Sequence, residues 1–317
     1  MSRAATLPLF PDLPAFGRPD PGAEALRRRA GVDYLDLLSR DVLNRVDSPR
    51  LPFRWTINPY RGCEFGCSYC YARDTHGFLE LDDPLDFETR IFVKRRAAES
   101  LRRRLRRVDL KGETIAIGTA TDPYQPAERH FEVTRSLLEV FAEHEGLSLS
   151  LTTKSPLVTR DLELLTELDR RHAVEIHVTV TTVDARLARR LEGHAPDPAA
   201  RLRALARLAE AGLATRVNCM PVMPGINDDE ETLAPLLAAA REAGAGHVVA
   251  QPLFLRPMAR RHLFAWLERE FPHLVPIYRH LYAHRDYLGE EAKDRLLTTF
   301  RRLRLAAGFP RSAPGRA

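Results

Sequence analysis

Residues 55–73 read WTINPYRGCEFGCSYCYAR. A short β-like run, RWTIN (54–58), passes directly into a loop that carries Cys63, Cys67 and Cys70 in a C-x3-C-x2-C pattern. Three of the chain's 4 cysteines thus fall within one short loop. In a chain without a secretion signal, such clustering argues for metal binding over disulfides. Three thiolates on one loop can serve three corners of an iron-sulfur cubane and leave the fourth iron without a protein ligand, whereas an ordinary electron-transfer cluster uses four cysteines. Gly62 and Gly66 suit the sharp loop, because glycine permits positive φ and close approach of backbone amides. The competing structural reading is a zinc site with Cys219 or His76 as fourth ligand, although zinc knuckles usually draw on two separated ligand pairs.

Outward from this loop, strand-like and helical patterns alternate, the signature of repeated βα units. After 54–58 the predicted strands are 113–119, 147–154, 174–182, 215–222 and 247–254. The predicted helices are 95–108, 128–145, 159–171, 199–211 and 229–243, with Asp161 as a candidate cap. Units of about 30 residues match the βαβ period. The fold class is therefore α/β, a parallel sheet curled into a barrel or partial barrel whose active site lies at the carboxyl ends of the strands. Residues 1–50, rich in Pro and Arg, read as a leader with one amphipathic helix near GVDYLDLLSRDVLNRV (31–46). Residues 51–257 form the core, and 258–317 a helical extension with a Pro/Gly/Arg tail.

With 44% apolar and 29% charged residues, the composition predicts a packed core and excludes a disordered chain. No run approaches the ~20 apolar residues of a membrane span, so a cytoplasmic protein without membrane partners is expected. The net charge is +5, and nearly all of it rests on Arg, with Lys only at 94, 111, 154 and 293. A lysine in that background invites a reason for a compact ammonium. The run KRRAAESLRRRLRRV (94–108) is strongly basic, as a nucleic-acid surface would be. Its apolar stripe of Ala98, Leu101, Leu105 and Val108 reads instead as the inner face of a barrel helix with solvated arginines outside. In the fourth strand, His177, Thr179 and Thr181 alternate with apolar residues and share one face.

The C-x3-C-x2-C pattern with an aromatic residue before its last cysteine, here Tyr69, resembles the signature of the radical S-adenosylmethionine (SAM) superfamily. NPYRGCEFGCSYCYAR (58–73) together with TDPYQPAE (121–128) is similar to the SplB-type, DNA repair photolyase-like branch related to spore photoproduct lyase. The likeness spans residues 41 to 305. It implies a partial (β/α)6 TIM-like barrel and a 4Fe-4S cluster on Cys63, Cys67 and Cys70. It further implies S-adenosyl-L-methionine at the open iron and an electron donor such as flavodoxin or ferredoxin. Reductive cleavage of SAM would give a 5′-deoxyadenosyl radical that abstracts hydrogen from a substrate, with nucleic acid one possibility. By the same likeness Thr121 and Asp122, with Gln125 and Glu128 behind them, would meet the methionine amino group. Lys154 would bind the carboxylate, and Pro224, Gly225 and Ile226 would contact adenine. Thr179, Thr181 and His177 are candidates for ribose or substrate, while Asn227 and Asp228 are candidate helix caps. Spore photoproduct lyases carry a donor cysteine just before the Ser-Asp of the second-strand loop, where this chain reads Gly118-Thr119-Ala120-Thr121-Asp122. Cys219, Tyr69 and Tyr71 are the remaining candidates for moving a hydrogen atom. An alternative of another class is a non-catalytic, metal- or cluster-containing nucleic-acid-binding adaptor.

Overall fold

The computed structural model describes residues 25–310 apart from 30, 40, 49, 50, 283 and 284. Strands β1 (Trp55–Ile57), β2 (Thr114–Ile117), β3 (Ser148–Thr153), β4 (Ala173–Thr179), β5 (Ala214–Val222) and β6 (His247–Pro252) lie side by side in sequence order and all run parallel. Helices α1 (Ala97–Leu105), α2 (Val133–Ala142), α3 (Leu162–Asp169), α4 (Pro198–Glu210) and α5 (Glu230–Glu242) make the connections. After β6 come α6 (Pro257–Glu270), α7 (Val275–Tyr282) and α8 (Glu290–Ala306). A short strand, Leu43–Arg45, pairs antiparallel with β1, so the sheet begins there and ends at β6. It is the open, partial form of the expected (β/α)6 architecture.

The register sorts the side chains into two faces. Ile115, Leu149, Leu151, Ile176, Val178, Val217 and Val248 belong to the same core cluster as Leu101, Leu137, Leu165, Leu205 and Leu236, which the helices contribute. The alternate residues form the inner face. There Ala116 pairs with Ser150, Ser150 with Glu175, Thr152 with His177, His177 with Arg216, and Thr179 with Asn218. Parallel strands covered by helices are normally apolar on both faces. A polar inner row breaks that pattern and marks the inside of the barrel as a place for a polar guest.

Several local expectations change in three dimensions. Residues 31–46 hold two strands, Val32–Asp36 and Leu43–Arg45, in place of an amphipathic helix. Val32–Asp36 joins a second sheet with Ala25–Arg29, Tyr60–Arg61 and Arg90–Val93, and its Tyr34 is buried. Pairing with strands already present outweighs local helical spacing. The helix predicted over 128–145 is broken at Glu132, which takes φ 48 between Glu128–Phe131 and α2. Asp161 does not cap α3: its carboxylate accepts from Tyr124 Oη at 3.0 Å and pairs with Arg135 at 2.6 Å and Arg160 at 2.8 Å. The cap of α5 is Asp229, which accepts from Thr232 N at 2.7 Å, and neither Asn227 nor Asp228 takes that role.

Candidate active site at the cysteine loop

The cysteine loop leaves β1 and is fixed on both sides by backbone pairing. Tyr60–Arg61 pairs with Arg90–Val93, and Cys63 N donates to Phe87 O at 2.8 Å. On the other side Cys67 bridges Glu192, Ser68 N donates to Leu191 O at 2.9 Å, and His194 N donates to Phe65 O at 3.1 Å. Gly62, at φ +88, is required by this packing: a Cβ there would stand 2.8 Å from Arg90 O and 2.9 Å from Phe87 O. Buried Arg73 holds the loop from beneath, bonding Cys67 O at 3.0 Å, Glu88 at 3.0 Å and Pro84 O at 2.6 Å.

The β2–α2 loop grips the same segment. Thr121 Oγ1 donates to Gly62 O at 2.6 Å, and Gln125 Nε2 donates to Gly62 O at 3.0 Å while its Oε1 accepts from Glu64 N at 3.0 Å. Asp122 ties the ends of β2 and β3 together, accepting from Thr153 Oγ1 at 2.7 Å, Lys154 N at 2.7 Å and Tyr124 N at 2.9 Å. Burial holds its carboxyl above the usual range against these bonds. Glu128 is buried in a separate network with Tyr60, Arg160 at 2.9 Å and the amides of Thr134 and Arg135, so it braces the α2 side and stays out of the loop contacts.

Lys154, at the end of β3, has no hydrogen bond from its Nζ among the described residues. Its nearest carboxylate oxygen is Glu192 Oε1 at 4.0 Å, and the Tyr69 ring lies 5.7 Å away. Burial disfavours the ammonium, but the facing charges of Cys67 and Glu192 outweigh it and raise its pKa. Glu192 is fully buried and accepts from Tyr69 Oη, from Thr181 Oγ1 at 3.3 Å and from Arg201 Nη2 at 2.5 Å. Burial alone would raise its carboxyl, yet Arg201 and Lys154 pull it below the usual range. Sequence reasoning missed Glu192 and Arg201. In LARRLEGHAPDPAARLRAL (187–205) nothing separates a buried Arg from the solvated ones around it.

On the inner face Thr179 stands beside Asn218, whose buried Oδ1 has no hydrogen-bond partner among the described residues. A buried acceptor left open is unusual and fits a ligand that donates to it. His177 lies deeper, paired with Glu175 at 2.7 Å. In the loop after β5, Ile226 shares an apolar cluster with Cys63, Cys67 and Tyr69. The loop is held by Gly225 N on Asp228 at 2.8 Å, Tyr278 Oη on Pro224 O at 3.0 Å, and Asn227 on Met223 N and Thr181 O at 2.7 and 3.0 Å. Tyr69 and Tyr71 both have engaged hydroxyls, on Glu192 and on Thr119 O. Cys219 packs in the helix-facing cluster, on the opposite face of β5 from Asn218.

The three loop cysteines fit an iron-sulfur cluster by donor chemistry. Cys63 and Cys67 are buried and Cys70 is partly exposed. Burial pushes the Cys67 thiol up to about 12 against the pull of Lys154. Burial likewise raises Cys63, against the opposing pull of the backbone amides of Phe65 and Asp122. A bound metal reverses such shifts by deprotonating its thiols outright, and the amide donors stand ready for a sulfur that carries charge. No group of three or more His, Cys, Asp or Glu among the described residues is arranged around a single metal ion. His76 is packed edge-on to Phe87 and Phe92 and bonded to Arg90 O at 3.1 Å, so it does not join the cysteines.

The sequence model of the Radical SAM superfamily matches residues 57–237, from the last residue of β1 into α5. The chain belongs to the radical SAM superfamily. This radical SAM enzyme is 38% identical over 289 residues to an uncharacterized protein of Mycobacterium tuberculosis, covering 90% of this chain and 84% of the relative. It is 27% identical over 259 residues to an uncharacterized protein of Methanocaldococcus jannaschii, covering 82% and 92%. Among solved structures it shares the fold of spore photoproduct lyase complexed with dinucleoside spore photoproduct, with TM-score 0.67, 15% identity and coverage of 88% and 80%. A variant of that enzyme with bound AdoMet and dinucleoside spore photoproduct matches with TM-score 0.64, 15% identity and coverage of 84% and 77%. The fold is thus of the SplB type. Among the described residues no helix is long and apolar enough to cross a membrane.

Proposed function

We propose that this radical SAM enzyme holds a 4Fe-4S cluster on Cys63, Cys67 and Cys70 and binds S-adenosyl-L-methionine at the iron left without a protein ligand. When bound, the cluster and SAM together supply reductive cleavage of a carbon-sulfur bond and a 5′-deoxyadenosyl radical that removes hydrogen from a substrate. The chain's own residues bind and orient. Lys154 offers its N–H donors to the carboxylate of the methionine part. The Thr121–Asp122 turn, held against the cysteine loop by the bond from Thr121 to Gly62 O, would supply acceptors for the amino group. Thr179 and Asn218, on β4 and β5, would hold the ribose, and Pro224, Gly225 and Ile226 would supply the apolar contact for adenine. Thr181 acts at one remove, through its bond to Glu192.

The observation that carries this reading is the pairing of three loop thiols with a lysine ammonium that no protein carboxylate saturates. A flavodoxin or ferredoxin would deliver the electron in the cytoplasm. Ala120 stands just before Thr121-Asp122, where the lyases carry a thiol. The reading therefore extends to hydrogen abstraction from a nucleic acid or another substrate, and not to a thiol-dependent repair. Anaerobically reconstituted protein is expected to be brown, to bind about four irons per chain, and to release 5′-deoxyadenosine from SAM on reduction. Changing Cys67→Ala should abolish all three. A colourless zinc protein that shifts DNA would establish the adaptor instead.

A further inference from the structure

A second group of residues sits behind the proposed cofactor site, and its bonding is uneven. Each nitrogen of Arg201 has a partner: Nε donates to Pro196 O at 2.7 Å, Nη1 to Thr179 O at 3.1 Å and Nη2 to Glu192 at 2.5 Å. Glu192 is close to saturated, with one oxygen on Arg201 and the other on Tyr69 and Thr181. Lys154 is left out. Its 4.0 Å separation from Glu192 is well beyond the ~2.8 Å of a charge-assisted hydrogen bond, so the carboxylate attracts the ammonium without consuming its donors. The Tyr69 ring limits the approach from one side. The backbone bridge from Cys67 to Glu192 makes the same carboxylate part of the cysteine loop's support.

We infer that Glu192, braced by Arg201, is the positioning residue for Lys154, aiming its ammonium at the carboxylate of SAM and tying that aim to the cysteine loop through Tyr69. This rests on the reading given under Proposed function. Three consequences follow from the geometry. Glu192 and Arg201 cancel one another's charge, so the site keeps the single positive charge of Lys154 for an anionic group. The lysine's direction is fixed before the cofactor arrives, which lowers the ordering cost of binding. The side chain that fixes it moves only if the cysteine loop moves.

The test is a mutant cycle on full-length, anaerobically reconstituted protein, read by iron content and by the SAM dissociation constant. The latter is taken from the change SAM induces in the electron paramagnetic resonance spectrum of the reduced cluster. The variants are Lys154→Met, the charge-neutral pair Glu192→Gln with Arg201→Gln, the triple variant, and Tyr69→Phe. The paired variant is expected to keep wild-type iron and to weaken SAM about tenfold, the scale of losses seen when a supporting residue is removed. Lys154→Met should weaken it at least as much, and the triple variant no further than about twofold beyond Lys154→Met, because the pair acts through the lysine. Tyr69→Phe leaves that Glu192 oxygen with only the Thr181 bond and able to bond Lys154 directly, so it should weaken SAM severalfold with iron retained. If the paired variant loses its cluster, Tyr69→Phe decides by that same criterion. Unchanged SAM affinity in these variants alongside a loss in Lys154→Met, or additive losses in the triple variant, would overturn the inference while leaving the functional reading intact. Cluster-loaded wild type that fails to bind SAM would remove both.

Discussion

Two ionic groups, one in the segment between β4 and β5 and one on those strands themselves, differ in what surrounds them. At the carboxyl end, Glu192 and Arg201 are at most 1% exposed and bond to each other at 2.5 Å. Deeper on the inner face, Glu175 pairs with Arg216 at 2.9 Å and His177 at 2.7 Å, with side chains 34, 19 and 13% exposed. Each centres on a glutamate paired with an arginine. In the upper group water is excluded, so a broken pair leaves an uncompensated buried charge. In the lower group solvent shares the work, and such pairs contribute about 0–1 kcal/mol. The upper group therefore braces the cysteine loop from a dry interior, whereas the lower forms a partly exposed polar row on the inner face.

The sharpest way to break this comparison is Arg201→Met, which strands Glu192 and should cost about 3–5 kcal/mol in urea unfolding. A loss near zero would mean that the upper pair is as well solvated as the lower. Next, Asn227→Ala removes bonds to Met223 N, Thr181 O and Pro221 O. It should cost about 1–3 kcal/mol, and lower thermal stability without loss of iron would place that amide in the rim loop's support. Arg216→Met is expected to cost about 1 kcal/mol or less in the same urea assay, and a cost equal to that of Arg201→Met would erase the contrast.

The smallest effect concerns pH. Burial raises the Glu175 carboxyl, but His177 and Arg216 outweigh it and depress the folded pKa below its unfolded value of about 4.3. A depressed carboxyl adds stability above the unfolded pKa and loses it as pH falls through the folded one. Below about pH 4, Glu175→Gln should therefore lose less stability than wild type on further acidification, a difference visible in parallel acid-unfolding curves.

Much of the fold was legible because hydrophobic period and spacing are local. Each of the strands β1 to β6 lies where alternation placed it, and the helices between them differ mainly at their ends. What escaped was set by distant partners. Residues 31–46 carry a helical spacing, yet they pair with Ile57 and with Arg90–Val93 because open strand positions were waiting there. Asp161 looked like a cap and became the partner of Arg135 and Arg160 across the α2–α3 junction. At the site, the spacing of Cys63, Cys67 and Cys70 announced itself, and the rarity of lysine drew attention to Lys154. Asn218 was silent, since an unsatisfied acceptor is a property of its neighbours and not of an asparagine in a strand.

Neighbours along the chain are enough to set the βα period, the three-thiol loop after the first strand, and the absence of a cysteine before Thr121-Asp122. The fold, by contrast, set the burial of Glu192 and Arg201 behind Cys67 and turned Cys219 toward the helices. It also decided that Lys154 stands near a carboxylate without bonding it. Burial and distance depend on which segments meet, and charge in a protein takes its meaning from how much water is left around it.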